Sequence, residues 1–115
     1  MFEFFPNNYP WNLNAALAFV MGGEMSEIAD ACSPLSRIND STPHAAAVEA
    51  WFQSWSIVSQ RMERLAAENE ARDWSFSAGA HYFRAVDYQL IAERVMSWSD
   101  PRRVSVYKQI GRAHV

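Results

Sequence analysis

Glu24, Glu27 and Asp30 stand three residues apart in turn, a spacing that places carboxylates along one face of a helix. Paired carboxylates can exchange protons with a substrate or hold a cation. The same acids also suit a helix N-terminus, where they complement the dipole and face water, and the trio reads better that way. Glu24 alone, directly after Gly22-Gly23, is the stronger candidate for a structural or pocket role. His81 lies beside Tyr82 and Phe83, but no serine or cysteine can be assigned as its nucleophile, so it reads as a core or surface histidine. Arg84 and Tyr88, four apart, share a helix face. They can contact each other along the helix or line a pocket. Trp51 and Trp55 have the same spacing and read as core packing rather than a ligand face, and His44 reads as exposed.

Other chemistries lack their motifs. A nucleophile elbow needs Gly-x-Ser-x-Gly, because small residues permit its strained turn. The four glycines are Gly22, Gly23, Gly79 and Gly111, and none brackets a serine that way. So few glycines form no phosphate-binding loop or dinucleotide fingerprint. There is no His-Glu-x-x-His and no cysteine cluster, so neither a metal nor any other cofactor is expected. Cys32, the single cysteine, excludes an internal disulfide and reads as a small buried thiol. That fits a reducing, cytoplasmic setting.

The chain has 115 residues and a net charge of −3, and half of it is hydrophobic. One domain with a modest core fits that length. A nucleic-acid partner would need clustered basic residues. The one adjacent basic pair, Arg102-Arg103 beside Asp100, reads as a helix start with solvated arginines. No secretory leader is expected, and no apolar run approaches the ~20 residues of a membrane span. Seven Phe, five Trp and four Tyr are many for a core this small. Some should belong to a surface that another domain or a ligand covers.

These residues sit on helices. An aromatic arm, 1–9, precedes a helix over Trp11 to Met21, with Pro10 in its first turn and Leu13, Leu17 and Val20 as its inner stripe. Gly22-Gly23 ends it. A short helix runs from Glu24 to Ala31, then a loop over 33–43. Thr42-Pro43 opens a third helix, His44 to Arg72, with Val48, Trp51, Trp55, Val58, Met62 and Leu65 three or four apart. A fourth, capped by Ser75 or Ser77, runs to about Trp98, with Ala80, Phe83, Val86, Leu90, Ile91 and Val95 inward. Asp100-Pro101 starts a fifth. No period-two strand signal persists. The fold class expected is all-α, an antiparallel hairpin or bundle of four to five helices over 1–109. Ile110 to Val115 leaves the amphipathic pattern and matches one frame of a common sequencing adapter, so it reads as an appended scar.

Three stretches together resemble the helical N-terminal region of a group of α/β-hydrolases. The first is Phe5-Pro6-Asn7-Asn8-Tyr9-Pro10-Trp11, with Met21-Gly22-Gly23-Glu24-Met25-Ser26-Glu27-Ile28 after it. The second is Ala50-Trp51-Phe52-Gln53-Ser54-Trp55. The third runs from Ser77 through His81-Tyr82-Phe83-Arg84 to Tyr88, then Ala92-Glu93-Arg94 and Asp100-Pro101-Arg102-Arg103. The group includes 2,6-dihydroxypseudooxynicotine hydrolase, yellowish-green-type polyketide-shortening hydrolases and fermentation-respiration switch proteins. The resemblance implies a cap domain that shapes the substrate pocket of a Ser-Asp-His hydrolase acting on C–C bonds next to ketones, or on esters.

On that reading the triad lies outside this chain, which is inactive alone. Its partners are a catalytic domain of the same polypeptide and a small carbonyl or ester substrate, with a homodimer also compatible. Glu24, His81, Arg84 and Tyr88 become the expected pocket residues. Two alternatives use the same helices: a self-contained helical protein-interaction module, and a small helical enzyme built on Glu24 and His81.

Overall fold

The computed structural model describes residues 3–113, with the backbone alone at 109, 110, 112 and 113. The aromatic-arm reading of Phe2 and the adapter reading of His114 and Val115 fall outside these residues. Five helices follow in order: α1 (Tyr9–Val20), α2 (Met25–Cys32), α3 (His44–Ala71), α4 (Ser75–Glu93) and α5 (Arg102–Ala113). Among the described residues no strand forms, as the missing period-two pattern predicted.

The α3–α4 hairpin is the frame. The expected α3 stripe is the buried one: Trp51, Trp55, Val58 and Met62 are enclosed, and Val48 and Leu65 half-enclosed. The turn after α3 is tight, with Asp73 at φ 59° and the Trp74 N–H donating to the Asn69 carbonyl at 2.9 Å. Serines bring the neighbours close. Ser59 Oγ donates to the Ala85 carbonyl of α4 at 2.7 Å, and Ser54 Oγ to the Ala31 carbonyl of α2. The aromatic surplus splits. Phe5, Trp11, Trp51, Trp55 and Tyr88 form a continuous stack through the core, with successive ring centroids 4.9–5.9 Å apart. Phe76 and Trp98 are almost fully exposed.

Two expected inner stripes are only partly turned inward: Ile91 is fully buried, and Leu17 and Val95 pack against the core from its edge. On α1 the buried face is Trp11, Asn12, Ala15 and Ala18, while Leu13 and Val20 are exposed and Leu17 is half-buried. On α4 it includes Ala78, Ala85, Tyr88, Ile91 and Ala92. Phe83 is exposed, and Ala80, Val86, Leu90 and Val95 are only half-buried. The reason is steric. Alanines carry little hydrophobic weight in a sequence, yet they let helix backbones approach closely, so they take the inside of tight interfaces.

Boundaries shift where local chemistry differs from the expected caps. Residues 33–37 of the expected loop form a 3-10 turn, Ser33–Arg37. Thr42 does not cap α3; its Oγ1 accepts from the Asn39 N–H instead. Neither Ser75 nor Ser77 caps α4, whose N-cap is Trp74, and α4 ends at Glu93 rather than near Trp98. Asp100 does hold the start of α5, accepting the Arg102 N–H at 2.9 Å. Arg102 and Arg103 are not simply solvated. Arg102 pairs with Glu49 and Asp100 at 2.8 and 2.9 Å. Arg103 is buried, with Nε 2.8 Å from Glu93 Oε2 and its guanidinium 4.1 Å above the Trp98 ring. The helix α5 continues through the backbone of residues 110–113.

Candidate functional site at the glycine junction

Gly22 and Gly23 turn the chain from α1 into α2 against the flank of α4. Gly22 has φ +115°, a conformation that side-chain-bearing residues seldom adopt. Gly23 is needed for space. A Cβ there would lie 2.7 Å from the Ala18 carbonyl oxygen and 2.9 Å from Tyr88 Cε1. This close approach delivers the Glu24 N–H to Tyr88 Oη, which accepts it at 2.9 Å.

Tyr88 in turn donates to Glu27 Oε1 at 2.6 Å. Arg84 Nε donates to the same oxygen at 2.8 Å, and an Arg84 terminal nitrogen reaches Glu27 Oε2 at 3.3 Å. The Arg84 and Glu27 side chains are 14% and 12% exposed, so water screens this pair less than a surface pair. Burial, then the bond to Glu27, pushes the Tyr88 phenol above its ordinary range and keeps it a donor. The junction is therefore closed by a satisfied carboxylate–guanidinium–phenol cluster.

Asp87 lies one residue away and is unlike its neighbours. It is 2% exposed, and neither carboxyl oxygen has a hydrogen-bond partner. Its Oδ2 packs 3.1 Å from where a Gly23 Cβ would stand. Burial in that setting pushes the carboxyl up to about 7. A group with this pKa can exchange protons near neutrality, but here the junction seals it from solvent.

Of the expected pocket residues, Arg84, Tyr88 and the backbone of Glu24 meet at this junction. Arg84 and Tyr88 do so through Glu27, not through an intrahelical contact. His81 is engaged elsewhere. Its Nδ1 lies 2.8 Å from Asn69 Oδ1 and 2.9 Å from the Ser77 carbonyl, pinning the turn between α3 and α4. Both partners are acceptors, so Nδ1 carries the proton. The Glu24–His81 enzyme thus lacks the contact it requires.

The acidic ladder also comes apart. Glu27 turns to Arg84, Asp30 pairs with Arg61 at 3.0 Å, and Glu24 is exposed. No metal-competent cluster of His, Cys, Asp and Glu occurs among the described residues. Cys32 is buried as expected, and burial pushes its thiol up to about 12. No described helix is long and apolar enough to cross a membrane. Sequence reasoning missed Asp87 and the role of Gly23. The one available signal was an aspartate set among Val86, Leu90 and Ile91.

Compared with known protein families, characterised proteins and solved structures, the chain matches none.

Proposed function

We propose that this chain is the helical cap of an α/β-hydrolase, held over a catalytic domain of the same polypeptide and forming one wall of its substrate pocket. One observation carries the reading: an uncovered apolar face along the seam of α1 and α4. The seam is set at one end by Arg94 Nε donating to Asn14 Oδ1 at 2.8 Å, and at the other by Gly22 against the Phe83 ring. Leu13 and Val20 are exposed on α1 and Phe83 on α4, with Val86 and Leu90 half-buried on the same α4 face as Phe83. Phe76 extends the face at 94% exposure, and a Cβ added at Gly79 would meet nothing within 4 Å. Exposed apolar side chains concentrated on two packed helices mark a contact surface.

The sequence resemblance names the occupant. The cap of such a hydrolase presents apolar side chains to a pocket, and catalysis comes from the domain beneath. The Glu27–Arg84–Tyr88 cluster then serves as the brace that fixes the angle between α2 and α4 behind that face. The substrate class follows the resemblance: a small ketone cleaved at the adjacent C–C bond, or an ester.

The source gene tests this. A reading frame that continues past codon 109 into a Gly-x-Ser-x-Gly within about a hundred codons supports it. An in-frame stop at that point overturns it. In the longer protein, Phe83→Ser should lower kcat/KM for ester or ketone substrates, and the 115-residue chain alone should hydrolyse neither.

A further inference from the structure

A second site lies apart from the glycine junction. The N-terminal arm and the segment after the 3-10 turn border a half-open cavity of about 380 Å³, lined by Phe4, Phe5, Trp11 and Ile38 on its apolar side and by Asn8, Asn39 and Asp40 on its polar side. That volume falls within the range of small-molecule sites.

The floor is rigid. Phe5 and Trp11 are each 7% exposed and meet edge to face at 5.3 Å, and both stack on Trp51. The polar side has a definite sense. Asn8 Oδ1 accepts the Trp11 N–H at 3.2 Å, and Asn39 Oδ1 accepts the Ser41 N–H at 2.8 Å. These bonds fix which end of each carboxamide is oxygen. Among the described residues neither NH2 group has an acceptor. Two carboxamide donors and the Asp40 carboxylate therefore line the same cavity as the rings, Asn39 and Asp40 at its exposed rim. The donors call for an oxygen acceptor, the floor for a flat ring, and the carboxylate disfavours an anion while accepting a hydroxyl proton.

We propose that this cavity binds a small uncharged ring compound bearing a hydroxyl or carbonyl oxygen, with the ring against the apolar side formed by Phe4, Ile38 and the edge of Trp11 and the oxygen on the amides of Asn8 and Asn39. It is independent of the cap assignment.

Titration of the ¹⁵N-labelled full chain with 2-naphthol tests it. The expected result is saturable shifts of the Asn8 and Asn39 side-chain amides and the Trp11 indole, with Kd on the order of 1 mM or tighter. The anion 2-naphthoate should bind at least about fivefold more weakly. Asn8→Asp keeps the helix cap, and Asn39→Asp keeps the oxygen that holds Ser41; each replaces a donor with an acceptor. Each should weaken 2-naphthol about fivefold or more without unfolding the chain. No saturable shift up to the solubility of the probe, shifts centred instead on Phe76 and Phe83, or undiminished affinity in both variants would each overturn the proposal.

Discussion

The two carboxyl oxygens of Asp87 have no hydrogen-bond partner, and the surroundings disfavour their charge, so the group titrates near 7 rather than near 3.8. Its folded pKa lies above its unfolded value, so the native state holds the proton more tightly. The stability this provides is complete below about pH 4 and is lost as pH rises through 7. A shift of three units sets an upper bound of about 4 kcal/mol, which relaxation of the junction will reduce. Asp87→Asn removes the titration at nearly constant shape. The variant should be more stable than the parent by about 1–2 kcal/mol at pH 8, with the gain vanishing near pH 4. Urea unfolding of both proteins across that range checks it, and a pH-independent difference would defeat the argument. Glu49 and Asp100 are shifted the other way, Glu49 first by its hydrogen bond to Gln53 and Asp100 first by its bond to Arg102. Their contribution is lost as pH falls through and below the ordinary carboxylate range, and it is common to both proteins, so it cancels in the comparison. Gly23→Ala is the steric counterpart. With contacts of 2.7 and 2.9 Å awaiting its Cβ, it should cost about 2–3 kcal/mol in the same assay, and a neutral result would mean the junction is looser than its geometry.

At the scale of elements, the Glu27 brace joins α2 to α4 across about sixty residues of sequence. Glu27→Gln weakens the pairing of a largely buried Arg84 and the best acceptor of Tyr88 Oη. Tyr88→Phe removes that donor and orphans the Glu24 N–H. Each should destabilise the fold by about 1–3 kcal/mol, and the double variant by clearly less than the sum, because both act on one network. Additive effects in a double-mutant cycle would show that the residues do not act together. The brace also marks what the sequence made legible. Gly22-Gly23, Glu24, Arg84 and Tyr88 stood out because glycine pairs and four-residue spacings are local signals. That Glu27 would satisfy Arg84 and Tyr88 was not local, since an intrahelical contact between those two fitted the spacing equally well. The α3 face was readable because Trp51, Trp55, Val58 and Met62 are large and periodic. The α1 and α4 faces misled, because Ala15, Ala18, Ala85 and Ala92 mark close contact by their smallness, and no hydrophobic stripe registers that.

For the whole molecule, the consequence of those partly outward faces is a surface that a monomer of this size seldom leaves bare. Val20, Phe76 and Phe83 are 78, 94 and 57% exposed, Phe83 beside Gly22 and Phe76 two turns along the same face of α4. What little of them is buried contributes only modestly to the stability of the isolated chain, while their exposure favours association with any apolar surface. The double substitution Phe76→Ser and Phe83→Ser should therefore leave the unfolding free energy within about 1 kcal/mol of the parent. The same variant should bind markedly less of the apolar dye anilinonaphthalene sulfonate and sediment as a smaller species wherever the parent self-associates. Stability that fell by several kcal/mol would place these rings in the core of the fold. An unchanged, low dye signal in parent and variant would mean that the face does not behave as a contact surface, and the cap assignment would lose the observation that carries it.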